Sequence, residues 1–295
     1  MKSVRMKLII VLVALILLAV TLSTTASIQY SKENLMEDEK DNAIAQTYRY
    51  ANEIDVWMTG EVDLVKNVAI SLENSPDIDA EMNSTLDGYY AERDELLNLY
   101  YGKEEDGEFY QANKDATVPD GYDPRERGWY KSAVEKGETV VTDPYWDVLT
   151  NQMCDTICCP VYKDGKLHGV VSIDMTLSTI TEITEGISYD TNVYAFLSDS
   201  SGNFIYHPNE DYLPTEDNVV AVLDELPGLE EIYTDVGAKV VQTKDYKGTE
   251  CYFTTAAVGD KGFILGIAVP VANVNKILTT MNTRVLTIEF IVIIF

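Results

Sequence analysis

The chain has 295 residues, with 22 Lys plus Arg against 49 Asp plus Glu, a formal net charge of −27, and 46% apolar residues. Such a composition is globular and excludes a disordered or collagen-like chain. The charge excludes nucleic acid as a partner, because phosphate binding needs a basic surface. Only two histidines, His168 and His207, are present, which leaves little room for His-based catalysis or a His-rich metal site.

Lys2, Arg5 and Lys7 precede an uncharged run over residues 8–28. About 20 apolar residues are enough for one bilayer crossing. The basic flank places residues 1–7 in the cytoplasm and the chain after residue 28 outside. A cleavable signal peptide, with small residues near 24–26, is the other reading. At the far end, residues 284–295 read RVLTIEFIVIIF. They are too short to span a membrane. They read as the start of a second transmembrane helix in a truncated chain, or as a buried C-terminal strand. On the first reading residues 29–283 are external, and they carry 48 acidic against 18 basic residues.

After the membrane run, positions 44, 48, 51, 55, 58, 62, 65, 69 and 72 are apolar except for Asp55, at a 3.5-residue period. That spacing predicts a long amphipathic helix ending near Ser75-Pro76, with a seam that packs either on a second copy or on its own sheet. From about residue 95 the texture changes to strands and turns. LLNLYYG and EFYQAN form one predicted hairpin, and TICCPVY and LHGVVSIDM a second. A short helix is expected within residues 121–138. The hairpin pair then recurs over residues 193–208 and 250–271, which implies two similar α+β modules in series. Of the four cysteines, Cys154 and Cys158 stand about 13 Å apart on one predicted strand, too far for a bridge. Cys158 and Cys159 point to opposite faces. No CxxC pair occurs, so no structural zinc site is expected.

The chemistry concentrates in YDPRERGWY (122–130), DPYWD (143–147) and the strand end at Asp174. Arg127 offers a planar fork of donors suited to a carboxylate. Trp129 adds an indole N–H, and Tyr122, Tyr130 and Tyr145 add hydroxyls on apolar bodies. Asp147 and Asp174 are anionic acceptors suited to an ammonium. A cation, two anions and an aromatic box together match a zwitterion, the backbone end of a free amino acid. Taken singly, Arg127 also reads as a solvated loop residue, Trp129 and Tyr130 as core aromatics, and Asp174 as a strand-end cap.

Tyr-x-x-x-x-Arg-x-Trp-Tyr, then Pro-Tyr-x-Asp, then an Asp ending the strand after a hairpin, resembles the double Cache sensor domain, and more narrowly its amino-acid-binding branch. The resemblance covers residues 29–283. It implies a long N-terminal helix plus two tandem PAS-like modules with antiparallel sheets, an α+β fold flanked by transmembrane helices. The implied order is a cytoplasmic 1–7, a transmembrane 8–28, a signalling helix 29–75, a membrane-distal ligand-binding module 76–185 and a membrane-proximal module 186–283. It implies that Tyr122, Arg127 and Trp129 hold the ligand carboxylate, and that Tyr130, Tyr145, Asp147 and Asp174 hold the amine. The second module lacks an Arg-x-Trp-Tyr, and its equivalent strand ends in Ala268-Val-Pro-Val, so no ligand is expected there. Cys158-Cys159 departs from the family pattern near the pocket and bears on side-chain selectivity. The expected partners are a small-molecule amino acid or amine, a membrane and a second copy of the chain, with no cofactor. An extracellular enzyme using Asp143, Asp147 or Asp174 is the competing class, but no GxSxG or HExxH accompanies them. An inert scaffold would leave the Arg127, Asp147 and Asp174 set unexplained.

Overall fold

A computed structural model describes residues 2–273 except 92, 94, 95, 150, 151, 216, 217 and 238, together with 276, 278–280 and 283. The apolar segment 284–295 lies outside the described residues. No proline interrupts residues 2–74, and α1 (Lys2–Asn74) is one continuous helix of 73 residues, about 110 Å long. Its N-terminal part is long and apolar enough to cross a membrane, with a mean hydropathy of 2.8 and none of that stretch buried. Pro76 forbids continuation. Asp77 then caps α2 (Ile78–Tyr90), accepting from the Ala80 N–H at 3.1 Å.

Two antiparallel sheets follow. The first contains β1 (Leu96–Lys103), β2 (Phe109–Gln111), β3 (Val140–Val141), β4 (Tyr145–Asp147), β5 (Gln152–Lys163) and β6 (Lys166–Thr176), in the order β2-β1-β6-β5-β3 with β4 also on β5. The second contains β7 (Tyr194–Ser198), β8 (Phe204–Tyr206), β9 (Val241–Lys244), β10 (Glu250–Val258) and β11 (Phe263–Pro270), in the order β8-β7-β11-β10-β9. Within each module the order is therefore second, first, last, next-to-last, third, the first module adding β4 on β5. The internal repeat expected from the hairpins is a repeat of topology. The β5–β6 hairpin turns through Asp164 and Gly165, both at positive φ (52° and 75°), the conformation that matches strand twist in a two-residue turn. Short helices complete the modules: α3 (Gly128–Lys136) and α4 (Ser178–Glu185) after the first strands, α5 (Val222–Glu225) and α6 (Glu230–Thr234) over the second sheet.

α1 packs on both sheets in succession. Ala43, Ala51, Ile54 and Met58 join the core built by the second sheet and α4. Leu64, Val65, Val68 and Leu72 join the core built by the first sheet and α2. The buried stripe runs 43, 47, 51, 54, 58, 61, 65, 68, 72. It shares Ala51, Met58, Val65 and Leu72 with the stripe read from sequence but follows a 3.6-residue period, because a straight helix lying on a sheet does not supercoil. Tyr48, expected in the seam, is 44% exposed. The helix therefore packs on its own sheets. All four cysteines are free thiols, and Cys154, Cys158 and Cys251 are buried.

Candidate ligand-binding site

The site lies on the face of the first sheet opposite α1. Alternation puts Cys154, Thr156 and Cys158 of β5 on that face, and Thr156 stands directly across from Asp174 of β6. Asp174 is fully buried. Its Oδ1 accepts from the Tyr100 hydroxyl at 2.6 Å and from Thr156 Oγ1 at 2.6 Å. Since Thr156 donates its proton to Asp174, the Tyr145 hydroxyl at 2.7 Å donates to Thr156. The second oxygen, Oδ2, is buried with no hydrogen-bond partner among the described residues. Burial pushes the Asp174 carboxyl up to about 7, against the pull of its two donors and with a contribution from Asp147. Asp147 is itself buried, at 4% exposure, and its Oδ2 accepts from the Leu149 N–H at 3.1 Å.

The opposite pole is Arg127. It stands in extended conformation (φ −81°, ψ 150°) immediately before α3. The turn that delivers it is braced by Asp123, which accepts from the Arg125 backbone N–H at 2.9 Å and from its guanidinium Nη2 at 2.7 Å. The Arg127 guanidinium packs over the Tyr122 ring at 5.5 Å. No carboxylate among the described residues lies within ion-pair distance of it. The first-turn N–H groups of α3 lack helical partners and add to the positive end. Between the poles stand aromatic walls. Trp129 packs edge-on against Tyr100 at 5.0 Å, and its indole N–H acts on the neighbouring Tyr122 hydroxyl. Burial raises the Tyr122 hydroxyl to about 12, Arg127 opposes that rise, and Asp174 and Asp147 add to it. Tyr122 thus feels both poles. A cavity of about 280 Å³ opens beside Arg127, Trp129, Ser132, Thr142, Asp143 and Tyr145, close to the lower limit of ordinary small-molecule sites at about 300 Å³.

The structure brings Tyr122, Arg127, Trp129, Tyr145, Asp147 and Asp174 into this one region. Tyr130 is placed differently. Its ring joins the buried cluster with Trp129 and Cys158, and its hydroxyl donates to Glu104 Oε2 at 2.7 Å, in the β1–β2 turn. Tyr100, Thr156 and Asp143 belong to the site although sequence reading passed over the first two and saw Asp143 only as an acid. Tyr100 and Tyr101 are adjacent, and only the sheet register shows which faces the pocket. Asp143 also accepts from Ser200 Oγ of the second module at 2.8 Å. In the second module, Ala268 stands opposite Phe253 as Asp174 stands opposite Thr156. The corresponding face is filled by Phe196, Phe204 and Phe253 under Val222, Leu229 and Ile232. His207 is buried there among aromatic rings, its imidazole lowered to about 4 by burial. His168 is half-buried and bonds the Tyr101 hydroxyl through Nδ1 at 2.6 Å.

Two tandem PAS-like modules thus ride on one long helix, and the first of them holds Arg127 together with the buried Asp147 and Asp174. The chain belongs to the Cache domain family (dCache_1), whose pattern matches residues 27–276. It is 32% identical over 212 residues, 70% of this chain and 32% of the relative, to the methyl-accepting chemotaxis protein McpA of Pseudomonas putida. It is 30% identical over 202 residues, 67% of this chain and 31% of the relative, to PctB of Pseudomonas aeruginosa, another methyl-accepting chemotaxis protein. The chain thus spans about a third of the length of these relatives. Among solved structures, the ligand-binding domain of PctB in complex with L-Arg superposes with a TM-score of 0.67 at 24% identity, covering 80% of this chain and 97% of that one. The ligand-binding domain of Pseudomonas fluorescens CtaA in complex with L-leucine gives 0.65 at 23%, covering 82% and 99%.

Proposed function

We propose that this chain is the sensor region of a transmembrane chemotaxis-type receptor and binds a free amino acid through both of its backbone charges. The observation that carries the reading is the Asp174 carboxyl, fully buried with Oδ2 unpartnered among the described residues, close enough to Arg127, which pairs with no described carboxylate, that both act on the Tyr122 hydroxyl. A buried anionic oxygen without a donor is costly, and a ligand ammonium supplies the missing donor. Asp174, Asp147 and Tyr145 take the ammonium end; Arg127, Trp129 and Tyr122 take the carboxylate. Tyr130 contributes its ring as a wall while Glu104 holds its hydroxyl. Three or four charge-assisted bonds, each about 1.5–3 kcal/mol net, less ordering costs, fit roughly micromolar binding.

The ligand-bound relatives and the apolar start of α1 support the wider reading. In it, residues 8–28 cross the membrane, 76–185 form the membrane-distal module and 186–283 the proximal one. The second module packs on residues 43–58 of α1, nearer the apolar run, and the first on residues 64–72, which agrees with that order. A pair of copies meeting along the outward face of α1, where Val56 and Ile70 are exposed, belongs to the same reading.

The test is a thermal-shift screen of the chain in detergent against the common amino acids, small amines and organic acids. Millimolar ligand at micromolar Kd stabilises by about 4 kcal/mol. A shift by one or more amino acids is expected, weakened at least tenfold in Kd by Arg127→Ala and by Asp174→Asn. A shift only by amines, indifferent to Arg127→Ala, moves the assignment to an amine sensor. No shift with any compound defeats the reading.

A further inference from the structure

A second acid, on the opposite face of the same strand, has no part in the pocket. Asp155 of β5 is fully buried. No other residue among those described donates to either of its carboxyl oxygens. Its side chain faces α1, between Met153, which packs on the second-module core, and Ile157, which belongs to the first-module core. Across from it on β6 is Met175 of the first core, followed on that strand's exit by Leu177 of the second. Trp57 of α1 and Val141 of β3 pack on both cores at this level. The carboxyl therefore sits in the seam where the two modules meet under the helix.

We propose that Asp155 makes this seam a proton-responsive joint, so that the acidity of the medium bathing the two sheets is a second stimulus for the protein. A neutral carboxyl tolerates a dry, apolar seam. A carboxylate there has, among the described residues, no donor beyond its own backbone N–H and no counter-charge, and its ionisation favours arrangements in which the seam parts and water reaches it. The proton leaves to water, and nothing else is consumed. Other charged groups on the surrounding elements are already engaged or face away. On α1, Glu61 has the Arg93 guanidinium at 3.7 Å and Asp55 has Lys261 Nζ at 3.3 Å. Asp260, in the β10–β11 turn, also pairs with Lys261. Asp174 on β6 and Cys154 on β5 point to the pocket face. Burial raises the Asp155 carboxyl to about 7, Asp174 adds to that rise, and only its own backbone N–H opposes it, so the change falls within the ordinary range of external pH. A seam that parts also frees residues 54–65 of α1 from the sheets, and α1 is the helix that continues into the apolar run. The joint stands whether or not the pocket takes an amino acid; only its service as a stimulus rests on the sensor reading.

Hydrogen-exchange protection factors for α1 residues 54–65, measured on the full chain in detergent micelles, test this. Between about pH 5.5 and about pH 8, protection of this stretch in the wild type is expected to fall roughly tenfold. In Asp155→Asn, and in Asp155→Leu, most of that fall is expected to be lost, leaving only the part that ionisation of Asp174 brings to the whole fold. Asp174→Asn is expected to keep most of the wild-type fall. Wild-type protection that does not change with pH overturns the proposal by itself, whether or not either variant folds. A fall that survives both Asp155 substitutions undiminished, or that Asp174→Asn abolishes, overturns it as well.

Discussion

Asp174 carries the clearest consequence at the scale of single residues. Its ordinary carboxyl value of 3.8 is raised to about 7 in the folded, unliganded protein. Between those values the native state holds a proton that the unfolded chain has released, so unliganded stability falls as pH rises through that window. On the proposed reading, ligand affinity runs the other way. There the ammonium meets the carboxylate, so below about 7 binding must expel a proton, and affinity is expected to fall by up to tenfold per pH unit. Calorimetry in buffers of different ionisation enthalpy is expected to show close to one proton released per amino acid bound near pH 5.5, and almost none near pH 8. Tyr100→Phe removes one of the two donors to Oδ1 and is expected to move the midpoint of this profile upward. A flat affinity profile would mean that Asp174 does not meet the ammonium. The residue types of the pocket were legible in the sequence because Arg, Trp, Tyr and Asp are chemically distinctive at their spacing. Tyr100 and Thr156 were not, because a tyrosine and a threonine in a strand read as ordinary β-formers. Their role exists only through cross-strand register.

At the scale of elements, legibility followed length. α1 and the eight strands of the four hairpins announce themselves by period or alternation. β3, β4 and β9 have two, three and four residues, too few to show a period by themselves; β2 and β8, with three each, are legible only through the turns that join them to β1 and β7. α2 was missed because it buries only Ile78, Met82 and Leu86, a single narrow stripe in a polar sequence. The drift between a 3.5- and a 3.6-residue stripe along α1 has a measurable outcome. Leu72 is fully buried, whereas Ile70, two positions away, is 53% exposed. Leu72→Ala is expected to cost about 2–5 kcal/mol in denaturant unfolding, and Ile70→Ala within about 0.5 kcal/mol of nothing. Equal losses would mean that Ile70 is also covered, as it would be in a tightly associated pair of copies.

For the whole molecule the dominant quantity is the net charge of −27. Some acids are locally matched, as where Lys103 Nζ lies 2.7 Å from Asp79 and Lys239 bridges Glu231 and Asp235. Exposed pairs such as those of Lys239 contribute about 0–1 kcal/mol each, and 22 basic residues cannot match 49 acidic ones. The remaining carboxylates repel one another over the folded surface more strongly than in the expanded chain. Salt shortens the reach of that repulsion from about 30 Å at 0.01 M to about 8 Å at 0.15 M. It screens exposed ion pairs too, but those are fewer and act over shorter distances. The unliganded chain is therefore expected to melt several degrees higher in 0.15 M than in 0.01 M sodium chloride, with potassium chloride giving the same shift, since screening depends on ionic strength and not on ion identity. A melting temperature that falls with added salt would show that the ion pairs outweigh the repulsion. A rise with one cation but not the other would mean specific cation binding to the acidic surface. The same field acts on ligands approaching from solution. Lowering the salt should slow association of acidic amino acids relative to neutral ones, and stopped-flow rates at two ionic strengths separate this steering from selectivity exerted inside the pocket.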